Sequence, residues 1–143
     1  IMFKFIESLG NLGNSEITGL LTNWMYYLHD DKYSWPFVKN SPIQALGKIG
    51  DESSIMDLLN IYVRHLDLPE IEGKSIAVEE ALVSIGEKGR DTYLLYSSEK
   101  FFKESYDQSM SDITEEEYNS ILEKSNHLIN IMCLNVLKSI DIP

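Results

Sequence analysis

Three copies of one phrase constrain this chain more than anything else in it. Leu9-Gly10-Asn11-Leu12-Gly13, Leu46-Gly47-Lys48-Ile49-Gly50 and Leu82-Val83-Ser84-Ile85-Gly86 each open on leucine and close on an aliphatic residue and a glycine. The closing glycines stand 37 and 36 residues apart. Each is followed, seven or eight residues on, by the leucine pairs Leu20-Leu21, Leu58-Leu59 and Leu94-Leu95. An apolar-periodic run precedes each phrase and another follows it. A period of this length holding two helices is the signature of stacked helix pairs, because a single pair cannot bury its apolar face alone. The predicted fold class is all-α, an α-solenoid of antiparallel helix pairs about three and a half units long.

In chain order, the first unit covers residues 2–31. Phe3, Phe5, Ile6, Leu9 and Leu12 make its first helix, with Gly13 at the turn and Asn14 and Ser15 as caps for the second. Ile17, Leu20, Leu21, Trp24 and Leu28 share the second helix's apolar face, flanked by Met25. Tyr33 to Phe37 reads as a loop, since Pro36 disfavours helical angles at Trp35. The second unit covers 42–67. Ser41 and Pro42 read as N-cap and first-turn proline of one helix, and Ile55, Leu58, Leu59, Tyr62 and Leu66 line the other. The third covers 74–104, with Ser75 as cap and Tyr93, Leu94, Leu95, Phe101 and Phe102 on its second helix. A polar stretch then precedes Thr114-Glu115-Glu116-Glu117, a capping box, and one long helix over about 115–140. That helix reads as the first half of a fourth unit, whose missing partner leaves an apolar stripe bare unless the helix packs back over the third unit. The 143 residues form one domain, 1–143.

Ala45-Leu46-Gly47-Lys48-Ile49-Gly50-Asp51, with Ile55, Leu58 and Leu59 behind it, resembles a HEAT repeat, in particular the short HEAT-like repeat known from phycobilin lyases. Ala81 to Gly86 and Ser8 to Gly13 are similar, so the resemblance covers about residues 2 to 102. It implies a curved stack of helix pairs that binds proteins along the concave face of its second helices. The same resemblance takes in chromophore lyases and alkylpurine DNA glycosylases, which stand as the alternative function.

The charge narrows the partner. Twelve basic against 23 acidic residues leave a net charge of −11. Binding a phosphate backbone needs a basic face, so nucleic acid is disfavoured and a basic protein is favoured. No apolar run reaches the roughly 20 residues that span a bilayer. The one cysteine, Cys133, sits in an apolar run and reads as a buried thiol, which suits a reducing, cytoplasmic setting. The sequence opens on Ile1-Met2, the mark of a processed or internal edge, which leaves a removed leader open.

Groups that could carry chemistry have simpler explanations. His29 precedes Asp30-Asp31 and His65 precedes Asp67, pairings that can orient an imidazole. Yet both histidines fall near helix C-termini in different units, with nothing in the sequence joining them. The Gly-x-x-Gly spacings follow no strand and lack a phosphate-loop ending. Asp30-Asp31 and Asp112 to Glu117 lack the order of calcium ligands. The reading is therefore non-enzymatic: no catalytic residue, no metal, no cofactor. The module is an adaptor or an immunity-type protein that occludes a basic enzyme. Its candidate binding residues are the second-helix positions off the apolar stripe: Asn23, Tyr26, Asn60, Arg64, Tyr93, Tyr96 and Lys100. Trp35 and Phe37 are expected to cap the gap between the first two units.

Overall fold

The computed structural model describes residues 2–12, 17–65, 71–101 and 112–141. Among them every regular element is helical: α1 (Met2–Leu12), α2 (Thr18–Asp30), α3 (Pro36–Ile49), α4 (Ile55–Val63), α5 (Lys74–Ile85), α6 (Arg90–Tyr96) and α7 (Glu115–Asp141). Short 3₁₀ turns, Glu52–Ser54 and Gly86–Gly89, lead into α4 and α6. Helix α3 lies against α1 on one side and α5 on the other, and α5 reaches α7. In the other series α2 packs on α3 and touches α4, α4 meets α5 and α7, and α6 packs on α7.

The phrase that recurs in the sequence does three jobs in α3. Leu46 is fully buried and Ala45 and Ile43 nearly so. Removing three such side chains from water contributes on the order of 1 to 3 kcal/mol each. Gly47 lets two helix backbones touch: a Cβ there would lie 2.7 Å from the Ala81 Cα of α5. Gly50 takes the left-handed conformation, φ 73°, and donates its N–H to the Leu46 carbonyl, ending the helix. Asp51 then turns the chain by accepting from the Ser53 N–H.

The structure corrects several element boundaries. α3 begins at Pro36, not at Pro42, so Pro36 is the first-turn proline and Pro42 lies inside the helix. An interior proline leaves the carbonyl four residues back without its N–H partner. That carbonyl is Val38 O, and the buried Ser41 hydroxyl donates to it at 2.7 Å. Helix α5 starts at Lys74 behind a left-handed Gly73, so Ser75 is not its cap. The expected caps Asn14 and Ser15, with Gly13, Leu66 and Phe102, lie outside the described residues.

The leucine pairs are not equivalent. Leu58 and Leu59 are fully buried, whereas Leu94 and Leu95 are 51% and 44% exposed. Helix α4 starts five residues after its glycine and α6 only four, so the fourth helical residue is Leu58 in one and Tyr93 in the other. One residue turns a helix by about 100°, which brings Tyr93 into the core and Leu94 out of it. On α2 the buried apolar side chains are Leu21, Met25 and Leu28; Leu20 is exposed and Trp24 is half-buried against Phe5, ring centres 5.3 Å apart.

The long helix begins as read. Thr114 Oγ1 accepts from the Glu117 N–H at 3.1 Å, half of a capping box. Its apolar face, Ile129, Met132, Cys133, Val136 and Leu137, is buried, and the helix packs against α4, α5 and α6. The last described unit is thus covered. Asn130 Nδ2 secures the seam by donating to the Tyr96 and Glu99 carbonyls, groups at and beyond the α6 C-terminus that have no helical partner. Cys133 is fully buried, and burial pushes its thiol up to about 12, which leaves it protonated and unreactive.

Candidate functional site

Two surfaces merit description. The first is the junction of α2 and α4. On α2, Tyr26 and Asp30 stand one helical turn apart, and on α4 and just past it Asp57, Asn60 and Arg64 follow at three- and four-residue steps, so two polar ladders face each other. The Tyr26 hydroxyl donates to Asp57 Oδ1 at 2.9 Å and accepts from Asn60 Nδ2 at 3.1 Å. The Arg64 guanidinium forks onto both Asp30 oxygens at 2.8 Å and lies 5.3 Å from the centre of the Tyr26 ring. Burial, then the bond to Asp57, pushes the Tyr26 phenol up to about 12. The Arg64 fork holds the Asp30 carboxyl well below the usual range, against the smaller opposing effect of burial.

Below this pair the histidines meet. The sequence placed His29 and His65 apart; in the structure their rings stack, with centres 5.7 Å apart and planes within 13°. His65 Nε2 lies 2.8 Å from Asp30 Oδ1. The backbone makes this possible, because His65 adopts φ 59°, the one left-handed non-glycine residue among those described. Such a conformation costs of order 1 kcal/mol and persists only when the surroundings fix it. His29 is buried, and burial, reinforced by the charge of Lys74, lowers its pKa to about 4. Its imidazole is therefore neutral at pH 7, and its Nε2 has no hydrogen-bond partner.

Two buried lysines close the helix ends. Lys39 Nζ donates to the His29 carbonyl at 3.3 Å, and Lys74 Nζ donates to the Arg64 carbonyl at 3.3 Å. Each lysine stands ten residues after the carbonyl it meets. An ammonium beside the carbonyls of a helix C-terminus gains from the local negative potential. This cluster holds cations close to the His29 imidazole. Among the described residues no three His, Cys, Asp or Glu side chains converge as a metal-ligand set.

Of the seven candidate binding residues, the structure brings Tyr26, Asn60 and Arg64 into this one network, where they join α2 to α4. Asn23 is exposed on α2 and Lys100 is exposed beyond α6. Tyr96 is half-buried, edge-on to Phe101 at 5.0 Å. Tyr93 is a correction. It has no exposed surface, and its hydroxyl donates to the Leu82 carbonyl at 2.7 Å, so it is a core residue joining α6 to α5.

The second surface lies at the start of α3. Trp35 and Phe37 do not cap a gap between units; they are 70% and 57% exposed, with ring centres 6.4 Å apart. They stand at the start of α3, beside a cleft of about 580 Å³ whose far wall is α5. Ile76, 62% exposed, belongs to that wall, with Glu72 and Glu80. Asn40 lies at the base, buried; its Nδ2 donates to the Glu72 carbonyl at 2.9 Å, and its Oδ1 has no partner. The signal available in the sequence was an aromatic residue on each side of a helix-opening proline. Neither family models, nor curated proteins, nor solved structures match the chain.

Proposed function

We propose that this chain is a non-catalytic interaction module of the cytoplasm: a HEAT-like α-solenoid of helix pairs that binds a basic protein or peptide, as an adaptor or by occlusion. The observation that carries the reading is the recurrence of equivalent contacts one unit apart. Lys39 and Lys74 are 35 residues apart and close equivalent helix ends at His29 and Arg64. Alternate helices also pack in succession, α1 on α3, α3 on α5 and α5 on α7. Helix pairs stacked in one register build a continuous helical surface, the element that solenoid proteins use for binding.

The charge supports a basic partner, because complementary potentials steer encounter and set specificity. The test is binding of the immobilised chain to basic proteins such as lysozyme, cytochrome c and protamine, read at about 50 mM and about 300 mM salt, a range over which surface attraction is screened. Binding that weakens steeply with salt is expected for at least one of them. Failure of all three to bind at the lower salt overturns the basic-partner reading.

A further inference from the structure

The cleft between α3 and α5 combines three features that do not satisfy one another. Trp35, Phe37 and Ile76 present large apolar side chains to solvent, each more than half exposed. Glu72 and Glu80 flank them, and neither carboxylate has an ion-pair partner among the described residues. At the base, Asn40 is 93% buried while its Oδ1 accepts no hydrogen bond. The volume, about 580 Å³, lies in the range of clefts that take a few side chains.

We propose that this cleft docks a short segment of a partner protein that carries both apolar and cationic side chains. Its apolar groups lie on Trp35, Phe37 and Ile76. Its arginine or lysine sits between Glu72 and Glu80, close enough to the Trp35 face for a cation–π contact. The two carboxylates repel phosphate, which separates this occupant from a nucleic acid or an anionic lipid surface. The proposal rests on the interaction-module reading and gives it a location between α3 and α5, on residues distinct from the α2 and α4 ladder.

The test uses the full chain and NMR of the tryptophan indole and backbone amides, with the Trp35 signal assigned from Trp35→Phe. The probe is the capped tetrapeptide Leu-Arg-Arg-Leu, with Leu-Glu-Glu-Leu as its counterpart. Leu-Arg-Arg-Leu is expected to move the Trp35 indole and the amides near Asn40 and Ile76, and Leu-Glu-Glu-Leu to move neither. Joint Glu72→Gln and Glu80→Gln substitution should weaken binding about tenfold, as befits loss of two exposed ion pairs. Trp35→Ala, whose side chain is exposed and dispensable to the core, should abolish it with the helical signal unchanged. Shifts confined to Tyr26 and Asn60 would overturn the cleft while leaving the module reading intact. Equal binding of the acidic peptide, or no shift at millimolar peptide, overturns the cleft proposal, and the salt-dependent binding above then judges the module by itself. A concentration-dependent Trp35 shift without peptide would identify a second copy as the occupant and overturn it as well.

Discussion

Gly47→Ala is the sharpest test of how the helices stack. The added Cβ would lie 2.7 Å from the Cα and 2.9 Å from the Cβ of Ala81. Carbon atoms at rest sit roughly 3.5 to 4.0 Å apart, so α3 and α5 must separate by about 1 Å. Neither contact is the end of a flexible side chain, so no rotamer change relieves it. Overpacking of this kind costs about 1 to 3 kcal/mol, against a gain of up to about 1 kcal/mol from replacing a helical glycine. The net expected loss is about 1 to 2 kcal/mol, a fall in Tm of roughly 4 to 8 °C for a chain of this length. Gly19→Ala in α2 is the control, because nothing lies within 4 Å of that position; it should gain about 0.5 kcal/mol. Urea and thermal unfolding followed by circular dichroism measure both. If Gly47→Ala proves as stable as the parent, or gains like Gly19→Ala, helix propensity alone governs the site and the close approach of α3 to α5 is refuted.

Two further outcomes follow from buried polar groups. Ser41→Ala should cost about 1 to 2 kcal/mol by leaving Val38 O unpaired beside Pro42, and Pro42→Ala in the same chain should recover part of it by restoring an N–H; a double-mutant cycle on urea midpoints reads the coupling. His29, with a folded pKa of about 4 against an ordinary 6.5, contributes stability that is fully present above pH 6.5 and is lost as pH falls from about 6.5 to about 4, by roughly 2 to 3 kcal/mol; His29→Phe should flatten that interval, and an unchanged slope between pH 7 and pH 4.5 sinks the assignment. Asp30, held low by Arg64, adds its own loss below the ordinary carboxylate range, so the two windows separate.

Local chemistry made much of the fold legible. Gly50 and Gly86 end their helices at φ 73° and 66°, Thr114 caps α7, and Leu46, Leu58, Leu59 and Leu82 fill the core. What the phrase could not carry was helix rotation. The leucine offset from glycine is eight residues in both later units, yet α4 starts five residues after its glycine and α6 four, and so Tyr93 rather than Leu94 is buried. The site was hidden for a related reason. His29 and His65 lie in different repeats of the sequence, but they are 36 residues apart, one period. In a stack, residues one period apart are neighbours. Applied to polar residues, a nearly equal spacing of 34 pairs Tyr26 with Asn60 and Asp30 with Arg64.

The buried lysines join the fold to the charge. An ammonium removed from water costs several kcal/mol unless its position supplies compensation. Lys39 and Lys74 find it at the carbonyls that close α2 and α4, where helix dipoles gather negative potential. Burial first, and then their positive charge, keeps His29 neutral and sets the pH window above. Arg64 and Arg90 are likewise held in ion pairs, Arg64 with Asp30 and Arg90 with Glu87 and Asp141. The cations that build the stack are therefore unavailable to balance carboxylates elsewhere. The remaining surface is more acidic than a uniform spread of the same residues would make it, and Glu72 and Glu80 beside Trp35 are where that excess meets exposed apolar area.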